Sequence, residues 1–189
     1  MTLFEEEIER TVSFLKAGKT ILYPTDTIWG IGCDATNSKA CDKVYEVKQR
    51  PNSKSLIILV DTPERLQDYV VDVPAIAYDL IKAAKSPLSI IFEKSKNLAK
   101  NVSADKSVCI RVVDNEFCKE VIKQLGRPIT STSANLSGQP SALTYNDISS
   151  EIIKSVDYTV QLYHDVLAKP KSSTIIKLNS DNTFDIIRQ

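Results

Sequence analysis

The sequence predicts a single α/β domain, residues 1–189, built on an open, twisted sheet of mixed parallel and antiparallel strands. Segments with helical spacing alternate with short apolar runs, and two strand-like segments meet at a tight turn near the C-terminus. A length of 189 residues suffices for one well-formed core. Neither repeats nor linkers divide the sequence.

The first helix is predicted from Phe4, Ile8, Val12 and Leu15, which follow helical spacing. Thr2 and Glu5 form a capping-box pattern before it, and Gly18 marks its end. The next elements are a strand over 20–23, a helix from about 38 to 48, a strand over 56–60, a helix start at Thr62 and Pro63, and a helix over 74–84. They are followed by strands over 88–92 and 108–112, a helix capped by Asp114 and ending near Gly126, a short strand opening at Ile129, and strands over 173–178 and 183–188.

Charge and apolar runs exclude several classes of protein. Lys plus Arg and Asp plus Glu both total 24, and this zero net charge argues against holding nucleic acid by bulk charge. The longest apolar run, residues 56–60, is too short to span a bilayer, and the acidic first ten residues are not a signal peptide. We therefore expect a cytoplasmic protein without a membrane segment.

Cysteine and histidine usage narrows the chemistry. The four cysteines contain no Cys-x-x-Cys pair, and we expect them to be buried free thiols. His164 is the only histidine, which argues against a histidine zinc site or a Ser-His-Asp triad. The chemistry must then rest on hydroxyls, amides, lysine, arginine and carboxylates, and we expect no metal ligand from the protein.

Three polar loops follow predicted strands or helices, where a rigid scaffold can hold binding groups. The first, residues 23–34, combines Thr25, Asp26 and Thr27 with two glycines and Trp29. Glycines allow a backbone to approach a ligand, and hydroxyls can bond a carboxylate or phosphate. The alternative is a turn with Trp29 packed in the core.

The other two loops carry cations and hydroxyls. Residues 48–55 place Lys48, Arg50 and Lys54 between a helix end and a buried strand, which fits a phosphate clamp or a solvated basic turn. Residues 128–141 are rich in short hydrogen-bonding side chains, which surround phosphates in some proteins and form simple turns in others. The P-loop and Gly-x-Gly-x-x-Gly patterns are absent, so the residues alone indicate an anion-binding cleft and identify no reaction.

The same three loops resemble signatures of the YrdC-like family, which includes the bacterial threonylcarbamoyl-AMP synthases. The matching stretches are residues 23–30 (Tyr-Pro-Thr-Asp-Thr-Ile-Trp-Gly), 48–51 (Lys-Gln-Arg-Pro), 131–140 (Ser-Thr-Ser-Ala-Asn-Leu-Ser-Gly-Gln-Pro), 173–176 (Ser-Thr-Ile-Ile) and 186–188 (Ile-Ile-Arg). Each stretch is weak alone, but their order and spacing agree along nearly the whole chain. We expect the short form, without the extra C-terminal domain of longer relatives.

The resemblance implies an open mixed sheet curved around a concave active site. It also implies the formation of threonylcarbamoyl-AMP and pyrophosphate from L-threonine, bicarbonate and ATP, with Mg²⁺ accompanying the nucleotide. Partner proteins of a threonylcarbamoyl-transferase complex would then modify adenosine 37 of tRNA. A monomer or weak homodimer is expected.

Residue roles follow from the same resemblance. Lys48 and Arg50 are the expected catalytic cations. ATP would be bound by Arg50, Lys54, Ser133, Asn135, Ser141 and Arg188, and L-threonine by Thr27, Arg111, Ser131 and Ser173. Arg111 would pair with the threonine carboxylate, and a structural ion pair is the competing interpretation.

Two other functions stay open at this point. A non-catalytic protein could use the same cleft to bind double-stranded RNA or tRNA, although zero net charge and 7% aromatic residues weaken this hypothesis. A carbamoyl-transfer enzyme of the hydrogenase-maturation type would be a longer chain with zinc-finger cysteines. The sequence therefore favours an enzyme, a nucleotidyltransferase.

Overall fold

The computed structural model describes residues 2–51, 55–165 and 172–189. The helices in these ranges are α1 (Leu3–Lys16), α2 (Ser38–Lys48), α3 (Leu66–Tyr69), α4 (Ala75–Ala83), α5 (Glu116–Leu125) and α6 (Ser150–Ser155). The strands are β1 (Ile21–Tyr23), β2 (Gly30–Gly32), β3 (Ile57–Val60), β4 (Leu88–Phe92), β5 (Val108–Val112), β6 (Ile129–Ser133), β7 (Tyr158–Thr159), β8 (Thr174–Leu178) and β9 (Phe184–Arg188). Short 3₁₀ turns cover Pro63–Arg65 and Tyr145–Asp147.

These strands form one sheet in the order β7-β1-β2-β6-β3-β5-β4-β8-β9. The pairs β1–β7, β3–β5 and β4–β8 are parallel, and the other five neighbouring pairs are antiparallel. The predicted α/β class with a mixed sheet is confirmed. Strand β6 lies between β2 and β3, so it joins the two parts of the sheet.

Side chains alternate between the two faces of the sheet, and each face has its own hydrophobic core. One core includes Ile58, Ile90 and Ile110 from the central strands and packs against α2, α3, α4 and α6. The other includes Leu59 and Ile129 and packs against α1 and α5. Helices therefore lie on both faces of the sheet.

Helix starts follow local hydrogen bonding. Thr2 Oγ1 accepts the N–H of Glu5 at 3.2 Å and the Thr2 N–H donates to Glu5 at 2.8 Å, which confirms the predicted capping box of α1. The predicted Asp114 cap of α5 is wrong by one residue. Asn115 has the extended backbone of a cap, and its Oδ1 accepts the N–H of Cys118 at 3.0 Å.

Strand β2 replaces part of a segment that was predicted as a loop, and β6 extends the predicted short strand at Ile129 into the polar segment that follows it. β2 contains two glycines, and most of β6 is polar, so neither shows the β-branched alternation that predicts a strand. Both are strands because each pairs with neighbours on two sides. Three of the four β6 hydroxyls, those of Ser131, Thr132 and Ser133, line a cavity. The four cysteines are buried and free, as predicted. The described helices include none long and apolar enough to cross a membrane.

Candidate active site

A cleft of about 300 Å³ opens on the sheet face that carries α1 and α5. Because side chains alternate along strands, Ser131 faces the same side as the core residue Ile129, and Cys109 and Arg111 face the same side as Val113. The two helices pack over one part of this face, and the cleft occupies another. We refer to this cavity as the cleft.

The wall formed by the first loop is held in shape by Thr25. Its hydroxyl donates to the carbonyl of Ile28 at 2.8 Å, accepts the Thr27 N–H at 3.0 Å and lies 2.9 Å from the Thr27 hydroxyl. Beneath the loop, the fully buried Tyr23 donates to the carbonyl of Thr130 at 2.9 Å. Burial raises the pKa of Tyr23, so the phenol stays a donor. Thr27 is thereby fixed on the cleft wall.

Trp29 serves both the core and the cleft. It is 3% exposed within the core cluster and also lines the cleft. Its ring lies 5.1 Å from Tyr145 and 5.5 Å from His164, and these two rings stack at 3.7 Å. The single histidine therefore packs behind Trp29, and its Nε2 lies 2.7 Å from the Val160 carbonyl.

Arg111 is held in the cleft by a buried charge contact with Asp26. Arg111 Nη2 lies 3.0 Å from Asp26 Oδ1, and the two side chains are 4% and 6% exposed. Neither of these atoms has an aligned hydrogen-bond partner among the described residues, and Arg111 Nε has none either. The guanidinium is therefore charge-compensated, and two of its nitrogens are buried donors without an aligned acceptor among the described residues.

A pair of serines adjoins Arg111. Ser89 lies directly opposite Arg111 on β4, is fully buried, and its hydroxyl lies 2.8 Å from that of Ser173. Arg188 donates to the Ser173 carbonyl through Nη2 at 2.9 Å and through Nε at 3.2 Å. Ser89 was not among the residues predicted for the site. Its one sequence signal is a serine inside the otherwise apolar run Leu88–Phe92.

Lys48 is hydrogen-bonded to the third loop, residues 128–141, and is not part of the cleft lining. Its ammonium donates to the carbonyl of Ser133 at 2.6 Å and to the carbonyl of Asn135, with both side-chain oxygens at 3.3 Å. The side chain is 2% exposed, and burial, followed by the Arg50 charge, lowers the pKa of Lys48 to about 8. Asn135 itself donates to the carbonyls of Leu136 and Gln139 within the loop.

Arg50 reaches into the cleft from the end of α2. It donates to Thr132 Oγ1 at 3.2 Å and to the Ser55 carbonyl at 2.8 Å, while its buried Nε has no partner among the described residues. Burial lowers the pKa of Arg50 and, independently, that of Arg188. Arginine nevertheless stays charged in proteins, so both supply positive charge to a partly dehydrated site.

The structure brings most of the predicted site residues together. Eight of them line the cleft, namely Thr27, Arg50, Arg111, Ser131, Ser133, Ser141, Ser173 and Arg188. Lys48 and Asn135 instead hold the third loop from behind. Lys54 lies outside the described residues.

A second, larger cavity of about 820 Å³ adjoins the cleft, and residues 27–29 line both of them. Its lining has an excess of negative charge, with two lysines, Lys85 and Lys119, against the four carboxylates of Asp26, Asp61, Glu64 and Asp114. The smaller cleft has three arginines, which suit a triphosphate and a carboxylate. Size alone would favour the larger cavity, but charge favours the cleft as the active site.

Similarity to known proteins identifies the family of the chain. The sequence profile of the Sua5/YciO/YrdC domain, described as telomere recombination, matches residues 13–189. The chain belongs to the Sua5/YciO/YrdC family. A Methanocaldococcus jannaschii protein is 36% identical to it over 97% of this chain and 88% of its own length. A Photobacterium profundum relative named threonylcarbamoyl-AMP synthase is 33% identical over 78% of this chain and 82% of its own.

Solved structures of the Sua5/YciO/YrdC family have the same fold. P. abyssi Sua5 complexed with L-threonine aligns with a TM-score of 0.80 and 25% identity over 90% of this chain. The alignment covers 50% of the Sua5 chain, so this chain spans about half of that protein. E. coli YciO aligns with a TM-score of 0.84 and 24% identity over 98% of this chain and 89% of its own. The predicted YrdC-like fold is confirmed.

Proposed function

We propose that this protein is a threonylcarbamoyl-AMP synthase, a nucleotidyltransferase that acts on L-threonine, bicarbonate and ATP. The observation that carries the proposal is the convergence of eight predicted site residues in one cleft of about 300 Å³. A relative that bears this enzyme name and a Sua5 structure with bound L-threonine support it.

The threonine half of the cleft would be formed around Arg111. Arg111 lines the cleft, and its guanidinium can pair with a carboxylate that enters there. The hydroxyls of Thr27, Ser131 and Ser173 border the same space and can bond the substrate amine and hydroxyl. The Asp26 charge keeps Arg111 compensated before substrate arrives.

The ATP half would be formed by Arg50, Arg188, Ser133 and Ser141, which line the cleft. Two arginines offset phosphate charge where water is partly excluded. We infer that Lys54 adds a further cation. The described cleft lining contains no carboxylate, so Mg²⁺ would be held by triphosphate oxygens and enter with ATP.

Lys48 and Asn135 take part in a different way. Both are hydrogen-bonded inside the protein, and together they fix the loop that presents Ser133. The catalytic role predicted for Lys48 is therefore proposed as a positioning role at the ATP site. Arg50 keeps the direct catalytic role.

The cleft suits an in-line displacement at phosphorus. The threonine amine and bicarbonate form a carbamate with loss of water. A carbamate oxygen then bonds to the α-phosphorus of ATP while the bond from that phosphorus to the bridging oxygen breaks, and pyrophosphate leaves with the electron pair. Such a reaction needs positioning and charge stabilisation, which the arginines and hydroxyls supply, and it needs no covalent nucleophile.

The product would pass to a threonylcarbamoyl-transferase complex that modifies tRNA in the cytoplasm. A monomer or weak homodimer suffices, because all eight cleft residues come from one chain. A role in binding RNA without catalysis is less well supported, since the relatives carry the name of the synthase.

Pyrophosphate release from ATP tests the proposal. We expect release that requires both L-threonine and bicarbonate, with threonylcarbamoyl-AMP identified by mass spectrometry. Arg50→Ala should lower kcat/KM by about 10² to 10³, the usual effect of losing one preorganised charge-stabilising donor. Arg10→Ala is the control, since Arg10 is exposed on α1, away from the cleft.

Two results would argue against the synthase. Release that ignores threonine would indicate a simple ATP hydrolase. An inactive protein that binds tRNA tightly, with a steep dependence on salt, would indicate the RNA-binding alternative.

A further inference from the structure

The cleft floor contains apolar side chains that belong to neither hydrophobic core. Ile91, Cys109 and Ile175 line the cleft and lie outside both core clusters. Ile57 lines it too, at the border of the core beneath α1 and α5. Apolar groups that face a cavity without joining a core are suited to contact an apolar part of a ligand.

Three of these side chains form a continuous strip across neighbouring strands. Cys109 on β5 pairs in register with Ile57 on β3 and with Ile91 on β4. Side chains directly opposite one another are about 5 Å apart, so the three make one surface. We call Ile57, Cys109 and Ile91 the apolar strip.

The strip is bordered by the groups proposed to bind threonine. Arg111 is two residues beyond Cys109 on the same face of β5, about 6.6 Å along the strand. Ser131 lies opposite Ile57 on β6. An amino acid whose carboxylate reaches Arg111 extends its side chain by about 4 Å, judged from standard bond lengths, which brings the β-carbon substituents over the strip.

The thiol of Cys109 behaves as a small apolar group. It is 7% exposed, and burial raises the pKa of Cys109 to about 12. The thiol therefore stays neutral at physiological pH, and the strip presents no charge to a ligand. A methyl group suits such a surface, whereas a bare hydroxymethyl group gains less from it.

We propose that Ile57, Cys109 and Ile91 contact the β-methyl group of L-threonine and thereby discriminate against L-serine. The inference rests on the proposed function and adds the basis of its amino-acid selectivity. The binding energy of one methyl group sets the scale, because a single methylene in an apolar pocket discriminates by about 10- to 200-fold.

Titration calorimetry with L-threonine and L-serine tests the strip without requiring turnover. The wild-type protein should bind threonine at least about tenfold more tightly than serine. Ile91→Ala should reduce this preference to about threefold or less, mainly by weakening threonine binding. Ile91→Val is a milder second variant that guards against misfolding. Ile90→Val is the matched control, because Ile90 precedes Ile91 on β4 and faces the opposite core.

The same ratio should fall when pyrophosphate release is measured with each amino acid, while the KM for ATP stays unchanged. A threonine-to-serine ratio that is equal in wild type and in both Ile91 variants would overturn the proposal. A raised KM for ATP with an unchanged ratio would also overturn it and would indicate that the strip contacts adenine. Selective threonine binding without pyrophosphate release would refute the synthase but support the strip, and absence of threonine binding would refute both.

Discussion

Gly32 in β2 has no space for a side chain. A Cβ at this position would lie 2.1 Å from the carbonyl oxygen of Thr130 and 2.9 Å from Tyr23 Cε1. The nearer atom is backbone of β6, so Gly32→Ala must separate the two strands. Two hydrogen bonds beside Gly32 would weaken as the strands separate. The Thr130 N–H donates to the Cys33 carbonyl at 2.8 Å, and the Cys33 N–H donates to Thr130 Oγ1 at 2.9 Å. Overpacking costs about 1–3 kcal/mol, and each of the two weakened hydrogen bonds costs about 1 kcal/mol. We therefore expect Gly32→Ala to lower the free energy of unfolding by about 3–5 kcal/mol.

Urea denaturation followed by circular dichroism measures this loss. Gly126→Ala provides the control, because Gly126 ends α5 with a φ of +73° and no described atom lies within 4 Å of the added Cβ. That variant should lose about 1 kcal/mol, the cost of the left-handed backbone alone. A Gly32→Ala protein as stable as the Gly126→Ala protein would refute the close approach of β2 to β6.

Three further predictions concern charge and capping. Asp26→Asn should lower the free energy of unfolding by about 3 kcal/mol, since Arg111 would keep a buried charge without its partner; a loss below 1 kcal/mol in urea titrations would contradict this. Folding lowers the pKa of Lys48 from 10.5 to about 8. Between these two pH values Lys48 binds a proton in the unfolded chain more often than in the folded protein, so its contribution makes the free energy of unfolding rise with pH. Denaturation at pH 8 and pH 10 should show a smaller rise in Lys48→Met, and equal rises would refute the assignment. Asn115→Ala should destabilise α5 by about 1 kcal/mol, with most of the loss recovered in Asn115→Asp if Asn115 is the cap.

Most regular elements could be predicted because their patterns are local. The helix over 38–48 and the strands over 88–92 and 108–112 have the predicted bounds. Strand β2 and the polar residues of β6 after Ile129 could not be predicted this way, because glycine and polar residues become strands only through pairing with distant partners. Asp114 and Asn115 are both good caps, and only the backbone decides between them.

For the candidate site, the sequence predicts which types of residue take part, but it does not predict the contacts that these residues make. The two interpretations of Arg111, a ligand group or an ion pair, are compatible, because Arg111 pairs with Asp26 and also lines the cleft. The resemblance identified Lys48, but its burial beneath the third loop depends on tertiary packing. Ser89 stayed hidden because its partners come from β5 and from the residue before β8.

The pairing of strand β6 affects the order in which parts of the protein fold. Its residues pair with β2 about a hundred positions earlier in the sequence and with β3 about seventy positions earlier. These strand pairs therefore form only after distant parts of the chain have come together. Ser131 and Ser133, which line the cleft, belong to β6. Neither half of the sheet can assemble the cleft alone. During refolding, catalytic activity should therefore return after most of the helical signal has recovered, so that activity reports on completion of the fold.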